Sequence, residues 1–213
     1  MAVEYRWAEG RYDRLPAFAA DLVDRKVGVI VTAGGPLPAR AAKNATSTIP
    51  VVFLIGADPV ATGFVASLAR PDGNLTGVSM QLNELTPKRL ELLSELDPQS
   101  EVIALLVKPN NAASAQRMIG ESERAAATKG LHLQILKAGT ENEIAAAFAS
   151  FLQLHASALL VSPDAFFSSR RDQLVALAAR YRVPAIFDER EFVELLDSPA
   201  SDGRRASSRG GRV

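Results

Sequence analysis

Two histidines, no cysteine and a scatter of loop carboxylates are the residues from which any chemistry in this chain of 213 residues would be built. Lack of cysteine removes disulfides, thiolate nucleophiles, Cys-ligated zinc and iron–sulfur clusters together. It also removes the two-cysteine acid–base pair that an α/β amino-acid racemase would use. His132 falls inside the strand-like run Leu131 to Leu136, and His155 follows the helix-like stretch Glu141 to Leu154. A Ser-His-Asp triad would have to recruit one of them, and neither stands at the carboxyl end of a strand. The chain has no Gly-x-Gly-x-x-Gly, no Gly-x-x-x-x-Gly-Lys-[Ser/Thr], no His-Glu-x-x-His and no Gly-x-Ser-x-Gly. The expectation is a binding protein with no catalytic residue, no cofactor and no metal.

Binding chemistry has better support. In open α/β sheets, ligands settle at the carboxyl ends of strands, where loops and helix starts converge. Six loops answer to that rule: Thr32–Pro36, Gly56–Pro59, Ser79–Gln81, Lys108–Asn111, Ser162–Asp164 and Asp188–Arg190. Each mixes small, hydroxyl or amide side chains with a helix start, whose free N–H groups favour a carboxylate. Every choice has a plainer role beside it. Gly34 and Gly35 also suit a turn, Asp58 and Asp164 also suit helix caps, and Lys108 reads as a solvated side chain. Phe166 and Phe167 read as packing under the next helix.

The elements that hold these loops alternate in type. The expected strands are Val3 to Trp7, Val27 to Thr32, Ile49 to Ile55 and Leu75 to Ser79, then Val102 to Val107, Leu131 to Leu136, Ala158 to Val161 and Pro184 to Phe187. Val27 to Thr32 is continuously apolar, as expected of a strand buried on both faces. Helices are expected over Arg11 to Asp24, Leu37 to Ala45, Thr86 to Leu96, Ala112 to Lys129, Glu141 to Leu154, Ser168 to Tyr181 and Arg190 to Leu196. Thr86 suits an N-cap with Pro87 at the first turn, and Gly130 suits the stop after Lys129. Strand–helix alternation implies parallel sheets with helices on both faces. The pattern restarts near Thr86, which predicts two α/β units, 1–84 and 85–196, meeting around Leu82 to Pro98.

Composition narrows the partners. Lys+Arg and Asp+Glu both number 24, so the formal charge is zero and no basic stripe suits nucleic acid. The longest apolar runs have strand length, too short to span a bilayer. Met1 to Trp7 has neither a basic nor an apolar leader region. Asp197 to Val213 is rich in Ser, Gly and Arg and reads as a disordered tail.

Six segments, in order, resemble the ABC-transporter substrate-binding proteins of the tryptophan/tyrosine-binding type. They are Val3 to Leu15, Ala45 to Phe53, Asp58-Pro-Val60, Leu68 to Ser79, Pro87 to Leu93 and Ser169 to Ala179. The resemblance implies two Rossmann-like lobes of a type I periplasmic binding protein, working as a monomer and handing a small ligand, an amino acid, to a membrane permease. It implies a signal peptide and an opening β-α unit before Val3, and crossovers after Glu194, so the chain reads as incomplete at both ends, weak in binding and poorly soluble. The ligand contacts it implies are Gly34, Gly35, Asp58, Pro59, Ser79, Asn110 and Asp164. An α/β metabolic enzyme would differ by turnover. A regulatory effector-binding domain would differ by a DNA-binding helix pair, and none precedes Val3.

Overall fold

Parallel strands need crossovers, and this chain supplies them with helices at every step except the turn-rich stretch between its second and third strands. A computed structural model describes residues 2–71, 73–80, 85–96, 101–188 and 192. These form two separate parallel sheets. The first has the order β1-β2-β3, with β1 Ile30–Thr32, β2 Val51–Ile55 and β3 Leu75–Ser79. The second has the order β5-β4-β6-β7, with β4 Val102–Val107, β5 His132–Lys137, β6 Ala158–Val161 and β7 Ala185–Ile186. All pairings are parallel.

The second sheet is covered on both faces, and the alternation along β4 shows how. Ile103, Leu105 and Val107 pack with Leu90 and Leu93 of α3 (Thr86–Leu96) and Met118 of α4 (Ala112–Ala127). Ala104 and Leu106 point the other way. They meet Ile144, Phe148 and Phe151 of α5 (Glu141–Phe151), with Leu174 and Ala178 of α7 (Arg171–Tyr181). Burying a side chain such as Phe148 stabilises the fold by about 1.5–3 kcal/mol. Gly130 ends α4 with φ 68°, letting the Leu131 N–H reach the Ala126 carbonyl at 3.0 Å. Thr86 opens α3 as expected, but its buried hydroxyl lies 3.6 Å from the Met118 sulfur.

The first sheet is covered on one face. Helices α1 (Leu15–Asp24) and α2 (Pro36–Ala45) both pack on the side of Ile30, Val51, Phe53, Ile55 and Leu75. On the other side Val29, Val31, Leu54 and Val78 are exposed, Val31 at 71%. The expected two-sided burial of Val27 to Thr32 is therefore corrected: only Ile30–Thr32 forms strand, and among the described residues its outward Val31 has nothing packed over it.

Two further expectations change. Val3 to Trp7 is not a strand, because no neighbour pairs with its backbone among the described residues. Ion pairs from Arg6 to Asp21 and from Arg25 to Glu4 fasten it to α1 instead. The helix expected from Ser168 to Tyr181 is two helices, α6 Ala165–Ser169 and α7, broken where Arg170 leaves helical geometry at φ −116°, ψ 20°. It begins early because Asp164 caps it, its carboxylate accepting the Phe166 N–H at 2.9 Å. The expected last helix at Arg190 to Leu196 lies outside the described residues except for buried Phe192, and the tail Asp197 to Val213 lies wholly outside them.

Candidate functional site

β4 and β6 are hydrogen-bonded neighbours, with Leu106 opposite Val161, so the loops after them emerge side by side. The Ser162 N–H donates to the Leu106 carbonyl at 2.9 Å and holds the second loop against the first. Asn111 then lies beside Asp164, and its Nδ2 donates to the carboxylate at 3.0 Å.

A third segment arrives from far away in sequence. Glu9 and Gly10 both have positive φ, 53° and 78°, and the Arg11 N–H closes the turn on the Ala8 carbonyl at 2.8 Å. Two successive left-handed residues reverse the chain tightly. This presents the Gly10 carbonyl and the Tyr12 ring to the second sheet. The Tyr12 hydroxyl donates to Asp164 Oδ1 at 2.6 Å, across 152 positions. The Lys108 ammonium donates to the Gly10 carbonyl at 3.0 Å, across 98 positions. A Cβ at Gly10 would stand 3.1 Å from Phe166 Cδ2 and 3.2 Å from Lys108 Nζ, so both backbone and space favour glycine there.

Lys108 is only 2% exposed, which corrects its reading as a solvated side chain. Its Nζ lies 4.1 Å from the centre of the Phe166 ring and 4.5 Å from that of Tyr12. Both distances suit a cation against an aromatic face. Burial pushes the Lys108 pKa down from its ordinary value, with the Asp164 charge opposing. Burial pushes the Tyr12 phenol well above its ordinary value, and the neighbouring Asp164 charge adds to this, so it stays a neutral donor. Asp164 accepts from Tyr12, Asn111 and the Phe166 amide together, which is why a carboxylate is tolerated there. Asn111 Oδ1 and Thr32 Oγ1 are buried without a hydrogen-bond partner among the described residues. Lys108, Asn111, Ser114, Met118, Ser162 and Asp164 line a cavity of about 10 Å³. That is room for about one water and far too little for an amino acid.

The residues expected from sequence divide in two. Asp164 is at the centre of the cluster. Gly34, with φ 88°, stands against it, since a Cβ there would come within 3.2 Å of the Ala165 Cβ. Gly35, with φ 102°, precedes α2. Asp58, Pro59, Ser79 and Asn110 have their partners nearer home. Asp58 accepts the Val60 N–H at 2.8 Å, Pro59 is buried with its carbonyl taking the Phe64 N–H, and Ser79 donates to the Ala57 carbonyl. Asn110 is exposed beside Gly139, while its neighbour Asn111 faces Asp164. Tyr12 and Gly10 lie within the segment Val3 to Leu15 and Asn111 within the strand-end loop Lys108–Asn111, but nothing in the sequence marks any of the three as a ligand contact. Among the described residues no group of His, Cys, Asp or Glu is placed to hold a metal ion, and no helix is long and apolar enough to cross a membrane.

A profile of the family described as "ABC transporter substrate binding protein" matches residues 1–200. The chain belongs to that family. This agrees with the resemblance carried by the six sequence segments. A tyrosine-binding protein of Clostridioides difficile (strain R20291) is 31% identical over 114 residues, covering 54% of this chain and 32% of that protein. Two crystal structures share the fold. An ABC domain in complex with L-Trp from Streptococcus pneumonia has a TM-score of 0.73 at 23% identity, covering 86% of this chain and 61% of that one. A conserved domain protein from Vibrio cholerae O1 biovar El Tor has a TM-score of 0.77 at 23% identity, covering 90% and 63%. The α/β fold is thus that of the periplasmic binding proteins. The chain spans about a third of the tyrosine-binding protein and about three fifths of each of these two structures.

Proposed function

We propose that this member of the substrate-binding family is the solute-binding component of an ABC importer. It acts in the periplasm and carries an amino acid, preferably an aromatic one, to a membrane permease. Residues 1–84 and 85–196 serve as its two lobes, and the ligand enters between them. One observation carries this reading: half-buried polar groups and the buried Lys108, from both halves of the chain, converge at the strand ends through the Tyr12–Asp164 and Lys108–Gly10 bonds. A tyrosine-binding relative and an L-Trp complex of the same fold support the choice of ligand. Gly34, Gly35, Asp58, Pro59, Ser79, Asn110 and Asp164 are proposed as lining the opened cleft, with Tyr12 and Asn111 added from the geometry. Since the closed cavity holds about one water, binding requires the lobes to part and close again over the ligand.

Thermal shift and calorimetry against L-tryptophan, L-tyrosine, L-leucine and L-arginine test the proposal. An aromatic amino acid at a hundred times its Kd should stabilise the chain by about 2.7 kcal/mol. Absence of any shift or heat with all four at millimolar concentration would overturn the reading.

A further inference from the structure

An ammonium group buried between two aromatic rings, a carbonyl and a nearby carboxylate is in surroundings that suit a ligand's ammonium equally well. Here the group is the protein's own. Lys108 Nζ has the Phe166 ring at 4.1 Å, the Tyr12 ring at 4.5 Å and the Gly10 carbonyl at 3.0 Å. Asp164 supplies the negative charge, and its own oxygens are held by Tyr12, Asn111 and the Phe166 amide. Nothing about Lys108 as the first residue after β4 demands this burial, because a lysine stem can reach water from a loop at low cost. Two walls of the cage come from the segment Gly10–Tyr12 and two from Asp164 and Phe166 at the start of α6, so the cage exists only while these segments are together. The adjoining space already contains one acceptor with no donor among the described residues, the buried Asn111 Oδ1.

We propose that Lys108 is a tethered occupant of a primary-ammonium site formed by Tyr12, Phe166, the Gly10 carbonyl and Asp164, and that a ligand's own ammonium group displaces it. The site's ligand class is therefore primary ammonium compounds, α-amino acids among them. Lys108 keeps the lobes closed without ligand, and the Asn111 amide oxygen is the further acceptor for an incoming ammonium. This inference rests on the cleft being an amino-acid site only in its choice of natural ligand. The cage itself can be tested without that assumption.

Emptying the site is the direct experiment. Lys108→Ala leaves a cage with no cation. Methylammonium or n-butylammonium, titrated into the 213-residue variant, should raise its thermal midpoint in a saturable way, whereas sodium and n-butanol should not. The wild-type chain should show no such response. Lys108→Met keeps the stem volume and serves if the alanine variant does not fold. It removes the competitor, so L-tryptophan should bind it at least tenfold more tightly than wild type, because apparent affinity scales with the fraction of open sites. Indole-3-propionate, which lacks the ammonium, should gain clearly less from the substitution than L-tryptophan does, since it shares the opening of the lobes but not the vacated cage. Alkylammonium rescue without amino-acid binding would keep the cage and reject the amino-acid reading. Amino-acid binding that weakens or stays unchanged in Lys108→Met, with no alkylammonium rescue, would overturn the tethered occupant and leave that reading intact. Weakening alone would mean that Lys108 contacts the ligand's carboxylate.

Discussion

Tyr12 is the residue on which the contact between the two halves turns. Its hydroxyl donates to a carboxylate, and hydrogen bonds to charged groups contribute about 1.5–3 kcal/mol. Tyr12→Phe should lower the thermal midpoint by several degrees while leaving the secondary structure seen by circular dichroism unchanged. The pH dependence has a definite sign. The folded phenol is held above its ordinary value of 10.0, so its contribution is fully present below pH 10 and is lost as the pH climbs towards the raised value. Wild type should therefore lose stability more steeply above pH 10 than Tyr12→Phe does. Equal slopes in alkaline denaturation would show that the phenol is no more protected in the fold than in the unfolded chain. The surroundings of neither Tyr12 nor Lys108 could be placed from sequence, since each finds its partners more than fifty positions away.

At the level of the elements, the first sheet depends on one glycine. Gly77 faces Phe53 across the β2–β3 pairing, where an added Cβ would fall on the Phe53 carbonyl oxygen and lie 2.6 Å from its ring. The obstruction is backbone of a paired strand, which cannot swing aside as a side chain would. Gly77→Ala should destabilise the chain by about 1–3 kcal/mol, as overpacking does. A domain of this size should then lose roughly 2–4 °C for each kcal/mol. Thr76→Val, one residue earlier and on the exposed face, is the control and should cost nothing measurable. The strands β3, β4 and β6 begin and end where the sequence pattern placed them, because their apolar runs and bounding turns are local signals. The cap at Asp164 was legible as a local signal, whereas the break at Arg170 was not, because no glycine or proline marks it.

For the whole molecule, the difference between the two sheets governs behaviour in solution. The second sheet has helices on both faces, while among the described residues Val29, Val31, Leu54 and Val78 leave the first with an open apolar face. Apolar patches of this kind drive association, and the formal charge of zero offers no net repulsion against it. The 213-residue chain should therefore self-associate in a concentration-dependent manner. Val31→Lys combined with Val78→Lys should shift sedimentation velocity profiles towards the monomer without lowering the thermal midpoint. A wild-type chain that stays monomeric at hundreds of micromolar would contradict this account of the open face.

Hydrophobic periodicity, the glycine and proline punctuation and the six ordered segments together fixed the strand–helix alternation, the parallel sheets and the family, because each is written within a few dozen consecutive residues. The same reasoning led to Asp164 and Gly34, since strand ends follow from strand positions. What only the tertiary structure decided was which side chains share a space. Val27 to Thr32 has the composition of a strand buried on both faces, yet what covers a face is set by neighbours and not by the strand. Lys108 has the composition of a solvated loop residue, yet a reversed turn at Glu9-Gly10 brings two aromatic faces and a carbonyl around its ammonium. Burial of a charged group is a property of all the segments that surround it, and no window of consecutive residues contains them.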